Sequence, residues 1–250
     1  MRIRFPNESA QYRTAREQLL EREVQLRRAM EDVAVARRAL PMGGEVPEDY
    51  VFEGAAADGT ATEIRMSELF TERKNSLVIY SYMFPRHPAD ERPGPQGGES
   101  ARLALADGPC PSCTALIDQL EGAAEHVEQH VNLAIVARAP FDRLQTFGRE
   151  RGWKRLRLLS AAHNTYTRDY LGQSEEGFSL PMLNVFHRDG DTIRHFWGSE
   201  LGYAPTEPGQ DPRAVGTLET MWNLFDFTPE GRPDFDEQLS YCCSPPTGVR

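Results

Sequence analysis

Two apolar runs, separated by a cysteine pair and a helical segment, constrain the fold of this chain more than any other feature. The runs are Leu77–Tyr82 and Val131–Ala137, and each is apolar enough to be a central strand of a sheet. The intervening segment Thr114–His130 has the composition and spacing of a helix. A strand, a helix and a second strand in this order predict a right-handed crossover and two parallel strands. We therefore expect an α/β fold.

The motif Cys110-Pro-Ser-Cys113 opens the predicted helix. Two cysteines three positions apart lie on one helical turn, where their sulfurs are close enough to bond. The unpaired N–H groups and the positive end of the helix stabilise a thiolate at Cys110. Because a thiolate attacks disulfides and peroxides and binds soft metals, the motif indicates redox or soft-metal chemistry. The alternatives are two buried cysteines or half of a zinc site.

The composition restricts the class of protein. The chain has 250 residues and a net charge of −10, which argues against non-specific binding to nucleic acid or to anionic membrane surfaces. It contains no apolar run of the ~18 residues that a membrane span needs. Its first residues lack the apolar core of a signal peptide, so the predicted localisation is cytoplasmic. In that compartment four cysteines favour catalysis or metal binding over structural disulfides.

The chain divides into three predicted parts. Residues 1–45 form a helical extension, in which Glu8–Leu40 is one long helix with an apolar stripe. That stripe packs either on its own domain or on a second subunit, which would make a homodimer. Residues 46–228 form the main domain, and residues 229–250 form a tail. Within the domain, the polar segment 85–109 is too long for a simple connection, so we interpret it as an inserted lid or substrate-contacting loop.

A proline leads into a predicted hairpin in the second half of the domain. The hairpin consists of the runs Met182–His187 and Thr192–Trp197 about an Asp-Gly turn. A parallel half followed by a hairpin entered through a proline is the layout of thioredoxin, where the proline is cis and lies against the active-site sulfurs. We therefore expect a cis Leu180-Pro181 bond, with Leu180 pairing with a bound substrate. The alternative is a trans proline that starts an edge strand.

Several short sequence motifs extend the comparison beyond the order of strands and helices. They occur in order along the chain: Leu40-Pro-Met, Asp49-Tyr-Val-Phe-Glu-Gly54, Glu68-Leu-Phe70, Tyr82-Met-Phe84, Cys110-Pro-Ser-Cys113, Val136-Ala-Arg-Ala-Pro140, Gly152-Trp153 and Val185-Phe-His-Arg-Asp-Gly190. Over residues 15 to 228 the chain resembles a functionally uncharacterised bacterial family of the thioredoxin and peroxiredoxin superfamily. The resemblance implies a thioredoxin-like central sheet with flanking helices and dithiol chemistry, without a defined substrate. The loop 85–109, the segment 161–169 and the tail cysteines depart from the family pattern.

The main functional hypothesis is a thiol–disulfide oxidoreductase of unknown substrate that requires no cofactor. Cys110 is the attacking thiolate and the more exposed sulfur, Cys113 is the resolving thiol, and Pro181 completes the catalytic set. The expected partner is a thiol or disulfide substrate or a small molecule. Peroxidase action ranks lower, because the residues before Cys110 lack the usual peroxiredoxin spacing Pro-x-x-x-[Thr/Ser]-x-x-Cys.

Two further hypotheses come from other classes of protein. The first is a Cu(I)-binding protein or copper-dependent oxidase that uses Cys110, Cys113 and His163, because two thiolates and an imidazole suit Cu(I). His163 is otherwise an ordinary surface histidine. The second is a redox-inert binding module that has kept the fold.

Other candidate residues lie outside the cysteine motif. Arg138 follows a strand at the carboxyl edge of the sheet, where it binds an anionic substrate or forms a surface ion pair. Trp153 is a candidate for lining an apolar substrate pocket, or else part of the core. The vicinal pair Cys242-Cys243 supplies accessory thiols, which either exchange with the motif, complete a metal site or have no defined role.

Overall fold

The structure is a computed structural model that describes residues 3–71, 73–208, 215–234 and 236–240. The predicted accessory thiols Cys242 and Cys243 lie outside these residues. The chain forms two compact units, Met1–Met42 and Gly43–Arg250. Within the described residues, no helix combines the length and the apolar character that crossing a bilayer requires.

The first unit is built on one helix, α1, which spans Ala10–Arg38. It begins after Ser9, whose side chain accepts a hydrogen bond from the Tyr12 N–H at 3.1 Å and so pairs one of the free donors at the helix start. Arg37 and Arg38 lie in its last turn, where positive charge complements the helix dipole. The predicted helix Glu8–Leu40 is therefore present with slightly shorter ends.

The second unit contains a seven-stranded mixed sheet. Its strands are β1 Val51–Ala55, β2 Ala61–Arg65, β3 Ser76–Tyr82, β4 Asn132–Ala137, β5 Arg157–Ser160, β6 Met182–Asp189 and β7 Thr192–Gly198. They lie in the order β2-β1-β5-β4-β3-β6-β7. The pairs β3–β4 and β4–β5 are parallel, and the remaining pairs are antiparallel. The predicted parallel half and the predicted hairpin, β6–β7, are both present.

Helices and short turns connect the strands of this sheet. The helices are α2 Pro111–Val127, α3 Phe141–Arg151, α4 Tyr166–Asp169 and α5 Thr220–Phe225. Gly152 ends α3 in the left-handed conformation, with φ of 80°, as its position after the helix predicts. Strand β2 was not predicted, because it lies at the edge of the sheet and its five residues include no buried side chain. An edge strand facing solvent lacks the apolar alternation by which strands are recognised.

The two faces of the sheet bury separate cores. Alternate residues of the central strands point to opposite faces, so Tyr80 and Tyr82 of β3 pack toward α2 while Leu77 and Ile79 pack toward the other face. The core on the α2 side includes both cysteines of the motif. This arrangement of a parallel half, an antiparallel hairpin and flanking helices is a thioredoxin-like α/β fold.

Candidate active site

The cysteine motif lies where strand β3 ends and helix α2 begins. Cys110 is the residue that precedes the first turn of α2, and Pro111 is the first helical residue, where a missing N–H costs nothing. The Cys110 N–H donates to the Met83 carbonyl at 3.0 Å, which fixes the start of the helix to the end of the strand. The free N–H groups of the first turn therefore lie beside the Cys110 sulfur, as the sequence predicts.

Two hydroxyl groups hold this junction from the core side. The Thr114 hydroxyl donates to the Cys110 carbonyl at 2.8 Å and is also hydrogen-bonded to the Tyr82 hydroxyl at 2.7 Å. All three residues are buried, so the low polarity of their surroundings strengthens these hydrogen bonds. The backbone at Cys110 is thereby held by groups from both β3 and α2.

The two cysteines contact each other as a thiolate acceptor and a thiol donor. The Cys113 thiol donates to the Cys110 sulfur, and this contact lowers the pKa of Cys110 from 9.0 to about 7. The Cys113 backbone N–H and the positive charge of Arg92 act in the same direction, whereas burial and the charge of Asp90 oppose them. The same contact, together with burial, raises the pKa of Cys113 well above its usual value. Above about pH 7 the pair therefore holds one proton, on Cys113.

A tyrosine extends the hydrogen-bonded chain into the core. Tyr80 lies on β3 with its side chain toward α2, and its hydroxyl is hydrogen-bonded to Cys113. Burial, followed by the charge of Cys113, raises the pKa of Tyr80 well above its usual value, so the phenol keeps its proton. The alternation of Tyr80 and Tyr82 along a central strand was the sequence signal that could have found this contact.

The inserted loop 85–109 supplies a positive charge to the site through Arg92. Its Nη2 group donates to the Cys110 sulfur at 3.8 Å and to Asp90 Oδ2 at 2.8 Å. Its Nη1 group donates to the Ser112 hydroxyl at 2.8 Å and to Glu237 Oε2 at 3.0 Å. These distances bring the inserted loop to the cysteine motif, and its role as a lid or substrate-contacting loop stays a prediction. Sequence reasoning missed Arg92 itself, because no local pattern indicates where an irregular loop folds back.

Both sulfurs are covered, which corrects one prediction. Cys110 is 1% exposed and Cys113 is 3% exposed, so the expectation that Cys110 is the more exposed sulfur is wrong. Arg92 covers Cys110 from the inserted loop, and Glu237 joins that cover from the C-terminal segment by accepting from both Arg92 and the Ser112 hydroxyl. The first residue of a helix is accessible to solvent unless other segments cover it. At Cys110 the inserted loop and the C-terminal segment provide that cover.

The peptide bond before Pro181 is a second correction. Among the described residues the cis peptide bond is Phe84-Pro85, and Leu180-Pro181 is trans. The chain reaches β6 from an extended segment, in which Ser179 already pairs with Gln173, so a trans proline continues in the same direction. The register pairs Met182 with Ser81 and so places Pro181 next to the end of β3, as the thioredoxin layout predicts.

The predicted substrate-binding residues have different environments. Leu180 is half-buried, and its N–H donates to the Gly172 carbonyl at 2.9 Å, so that N–H is not free for a substrate. Arg138 donates to the Gly177 carbonyl, and burial lowers its pKa. Trp153 is 7% exposed and its indole N–H donates to Asp118 at 2.8 Å, so this side chain lies in the core, which is one of the two predicted alternatives.

The structure does not bring His163 to the cysteines. His163 lines a cleft of about 400 Å³ whose other walls include Glu53 and Glu63 of strands β1 and β2. Within the described ranges, no three His, Cys, Asp or Glu side chains are grouped as a metal site would require. Cys110 and Cys113 are consequently the two soft ligands that the described part of the chain places together.

The site and the fold define a thioredoxin-like protein whose cysteine pair is buried beneath an inserted loop. A family profile described as a bacterial protein of unknown function (DUF899) matches residues 3–243, and the chain belongs to that family. The resemblance inferred from its short motifs is thereby confirmed. No curated protein matches the chain.

Solved structures with a similar arrangement come from peroxiredoxins and a thioredoxin. Thioredoxin peroxidase I of Plasmodium yoelii is 14% identical with a TM-score of 0.43, over 72% of this chain and 88% of the other. The reduced 2-Cys peroxiredoxin of Plasmodium vivax is 10% identical with a TM-score of 0.43, over 73% and 95%. The lipoprotein thioredoxin Etrx1 of Streptococcus pneumoniae is 13% identical with a TM-score of 0.35, over 68% and 99%.

Proposed function

We propose that this protein is a thiol–disulfide oxidoreductase that uses Cys110 and Cys113. The observation that carries the proposal is the contact between the two sulfurs, in which Cys113 donates to Cys110 and lowers its pKa to about 7. A pKa near neutrality makes a substantial fraction of Cys110 the reactive thiolate, and it also makes Cys110 a good leaving group in the reverse direction.

The electron flow of the proposed reaction balances within the pair. The Cys110 thiolate attacks one sulfur of a substrate disulfide and forms a mixed disulfide, while the other substrate sulfur leaves as a thiolate. Cys113 then gives up its proton and attacks the Cys110 sulfur, which releases the second substrate sulfur. The protein ends as the Cys110–Cys113 disulfide. The substrate gains two electrons in total, and each of its two sulfurs gains one proton, one from Cys113 and one from solvent. An external dithiol restores the reduced form.

Copper(I) binding is a second proposal, supported by the same contact between two soft sulfur ligands. Cu(I) accepts two thiolates without requiring a third ligand, so the distant position of His163 does not argue against it. Binding would release the proton that Cys113 holds.

Alkylation and redox titration of the wild-type protein and of the Cys110→Ser and Cys113→Ser variants test the main proposal. We expect the alkylation rate of Cys110, followed by peptide mapping, to rise with pH through about 7, because ionisation creates the reactive thiolate. We also expect the wild-type protein to form a Cys110–Cys113 disulfide reversibly in a dithiol buffer, and both variants to lose it.

Three outcomes separate the alternatives. A Cys110 alkylation rate that rises only near pH 9, together with no reversible disulfide, would contradict the oxidoreductase. Retention of Cu(I) by the wild-type protein against a competing chelator, lost in both variants, would favour the copper protein. Inert thiols and no copper binding would leave a redox-inert binding module.

A further inference from the structure

Arg86 is a buried cation whose hydrogen-bonding capacity is only partly used. It directly follows the cis peptide bond Phe84-Pro85 and is 2% exposed. Its Nη1 group donates to the Arg92 carbonyl at 2.6 Å and lies 3.9 Å from Asp90 Oδ1. Its Nε and Nη2 groups have no hydrogen-bond partner among the residues that the structure describes. Buried polar groups are otherwise almost always paired, so these two donors need an explanation.

The two unpaired donors form one edge of the guanidinium fork. Nε–H and Nη2–H are parallel, and their spacing matches two oxygen atoms on one central atom, as in a carboxylate, sulfate or phosphate group. A single neutral oxygen can bridge both donors, but it brings no negative charge to the buried guanidinium. The free edge therefore favours an oxyanion as its partner.

This edge lies close to the cysteine motif. The charge of Cys110 acts on the Arg86 guanidinium, and the Arg86 N–H donates to the Gly108 carbonyl at 2.9 Å, two residues before the thiol. A Cβ atom at Gly108 would lie 3.7 Å from both Nε and Nη2. Gly108 also lines a cavity of about 180 Å³ within the inserted loop, together with residues that include Gly94 and Leu105. A glycine here leaves out the side chain that would otherwise contact the free edge.

We propose that Nε and Nη2 of Arg86 form a binding site for a small oxyanion group beside Cys110, reached through the side of the inserted loop at Gly108. The site requires two oxygens on one atom and a size that fits the space beside Gly108. It extends the proposed oxidoreductase by giving its substrate a recognised group, but binding at this site does not depend on redox activity.

Sulfate, which the thiols do not reduce, is the probe for this site. We expect sodium sulfate to slow alkylation of Cys110 by neutral iodoacetamide with a hyperbolic dependence, by about tenfold at a concentration ten times the dissociation constant. Sodium chloride at matched ionic strength should have no such effect. In the Cys110→Ser variant, where the dithiol cannot act, sulfate should still raise the midpoint of thermal unfolding.

Two variants assign the effect to Arg86. Arg86→Lys keeps the charge but removes the parallel donors, and Gly108→Ala places a methyl group beside them. Gly108 has a φ of −81°, which alanine also adopts, although the new Cβ atom would lie 3.2 Å from the Leu105 carbonyl oxygen. With its native fold checked by circular dichroism, this variant tests the site if Arg86→Lys does not fold. Both should lose the sulfate effect. Equal effects of sulfate and chloride, or a sulfate effect that persists in the folded variants, would overturn the proposal.

Discussion

Arg92 contacts four side chains with three nitrogen atoms. Nε and Nη2 hold both carboxylate oxygens of Asp90, Nη2 also reaches the Cys110 sulfur, and Nη1 contacts Ser112 and Glu237. Hydrogen bonding to Asp90 is the main reason that the pKa of Arg92 is raised above its usual value, which keeps the guanidinium charged. A permanent positive charge beside a sulfur favours the thiolate over the thiol.

Replacement of Arg92 by glutamine should make Cys110 less acidic. Loss of the positive charge raises the pKa of Cys110, so the midpoint of the pH dependence of its alkylation should rise by about one pH unit for each pKa unit of change. Replacement of Cys113 by alanine should have the larger effect, because its thiol is the main cause of the lowered pKa. The pH dependence of Cys110 alkylation measures both changes.

Arg102→Gln is the matched control for this measurement. Arg102 is an exposed arginine of the same loop, so its replacement changes the net charge equally without removing a contact to the sulfur. If Arg102→Gln changed the pH dependence of Cys110 alkylation as much as Arg92→Gln does, overall charge, rather than the local contact, would control the pKa of Cys110.

At the scale of elements, helix α2 also fixes the segment that precedes strand β5. The buried carboxylate of Glu121 accepts hydrogen bonds from the backbone N–H groups of Lys154, Arg155 and Leu156, at 2.9, 3.1 and 3.1 Å. The loop after α3 has no neighbouring strand to accept hydrogen bonds from these three N–H groups, so the Glu121 carboxylate of α2 accepts all three. The helix that carries the cysteines is thus tied to the sheet at two places, its start and its third turn.

The Glu121→Ala variant should be less stable because three backbone donors lose their acceptor. We expect a loss of about 2–3 kcal/mol in the free energy of unfolding, because a buried donor left unpaired costs about 1 kcal/mol or more. That loss corresponds to a decrease of roughly 4–12 °C in the melting temperature for a chain of this size. Glu121→Gln keeps an acceptor oxygen and should lose less. Equal stability of the alanine variant and the wild type, measured by denaturant unfolding, would contradict this role.

The elements around the motif were predictable to different degrees. The strands β3 and β4 were predicted from continuous apolar runs and helix α2 from its helical spacing, and each is found within a few residues of its expected ends. The contacts of Arg86, Arg92 and Glu237 were not predicted, because long-range contacts of irregular segments leave no periodic trace in a sequence. A cis proline was expected at Pro181 from layout alone, and layout does not determine which proline is cis.

At the scale of the whole molecule, two segments far apart in sequence meet over the cysteines. Residues of the loop 85–109 and of the C-terminal segment are joined by the ion pair between Arg92 and Glu237 and by the hydrogen bond from the Gln96 N–H to Ser240 at 2.8 Å. On another side of the loop, the His87 ring packs against Phe178 with centroids 5.1 Å apart. The homodimer through α1 stays a prediction.

Glu237→Gln should make Cys110 easier to modify. The change removes one charge of the pair with Arg92, a loss of about 1 kcal/mol for a partly exposed ion pair, which shifts an opening equilibrium by about fivefold. The alkylation rate of Cys110 by iodoacetamide at pH 7 should rise correspondingly. Glu230→Gln, an exposed change in the same segment, should leave the rate unchanged. A slower or equal rate for Glu237→Gln would show that Glu237 does not help to close the site.

The multiple contacts of Arg92 have a consequence for protein engineering. Any substitution there alters the acidity of the sulfur and the anchoring of two chain segments at once, so the two properties cannot be tuned separately from that position. Tyr80 contacts the other cysteine, Cys113, from within the sheet and takes no part in the ion pairs of the two segments. It is therefore a position where the pair can be altered independently of the cover. Tyr80→Phe is therefore the natural first step for changing the acidity of the cysteine pair while the cover is left intact.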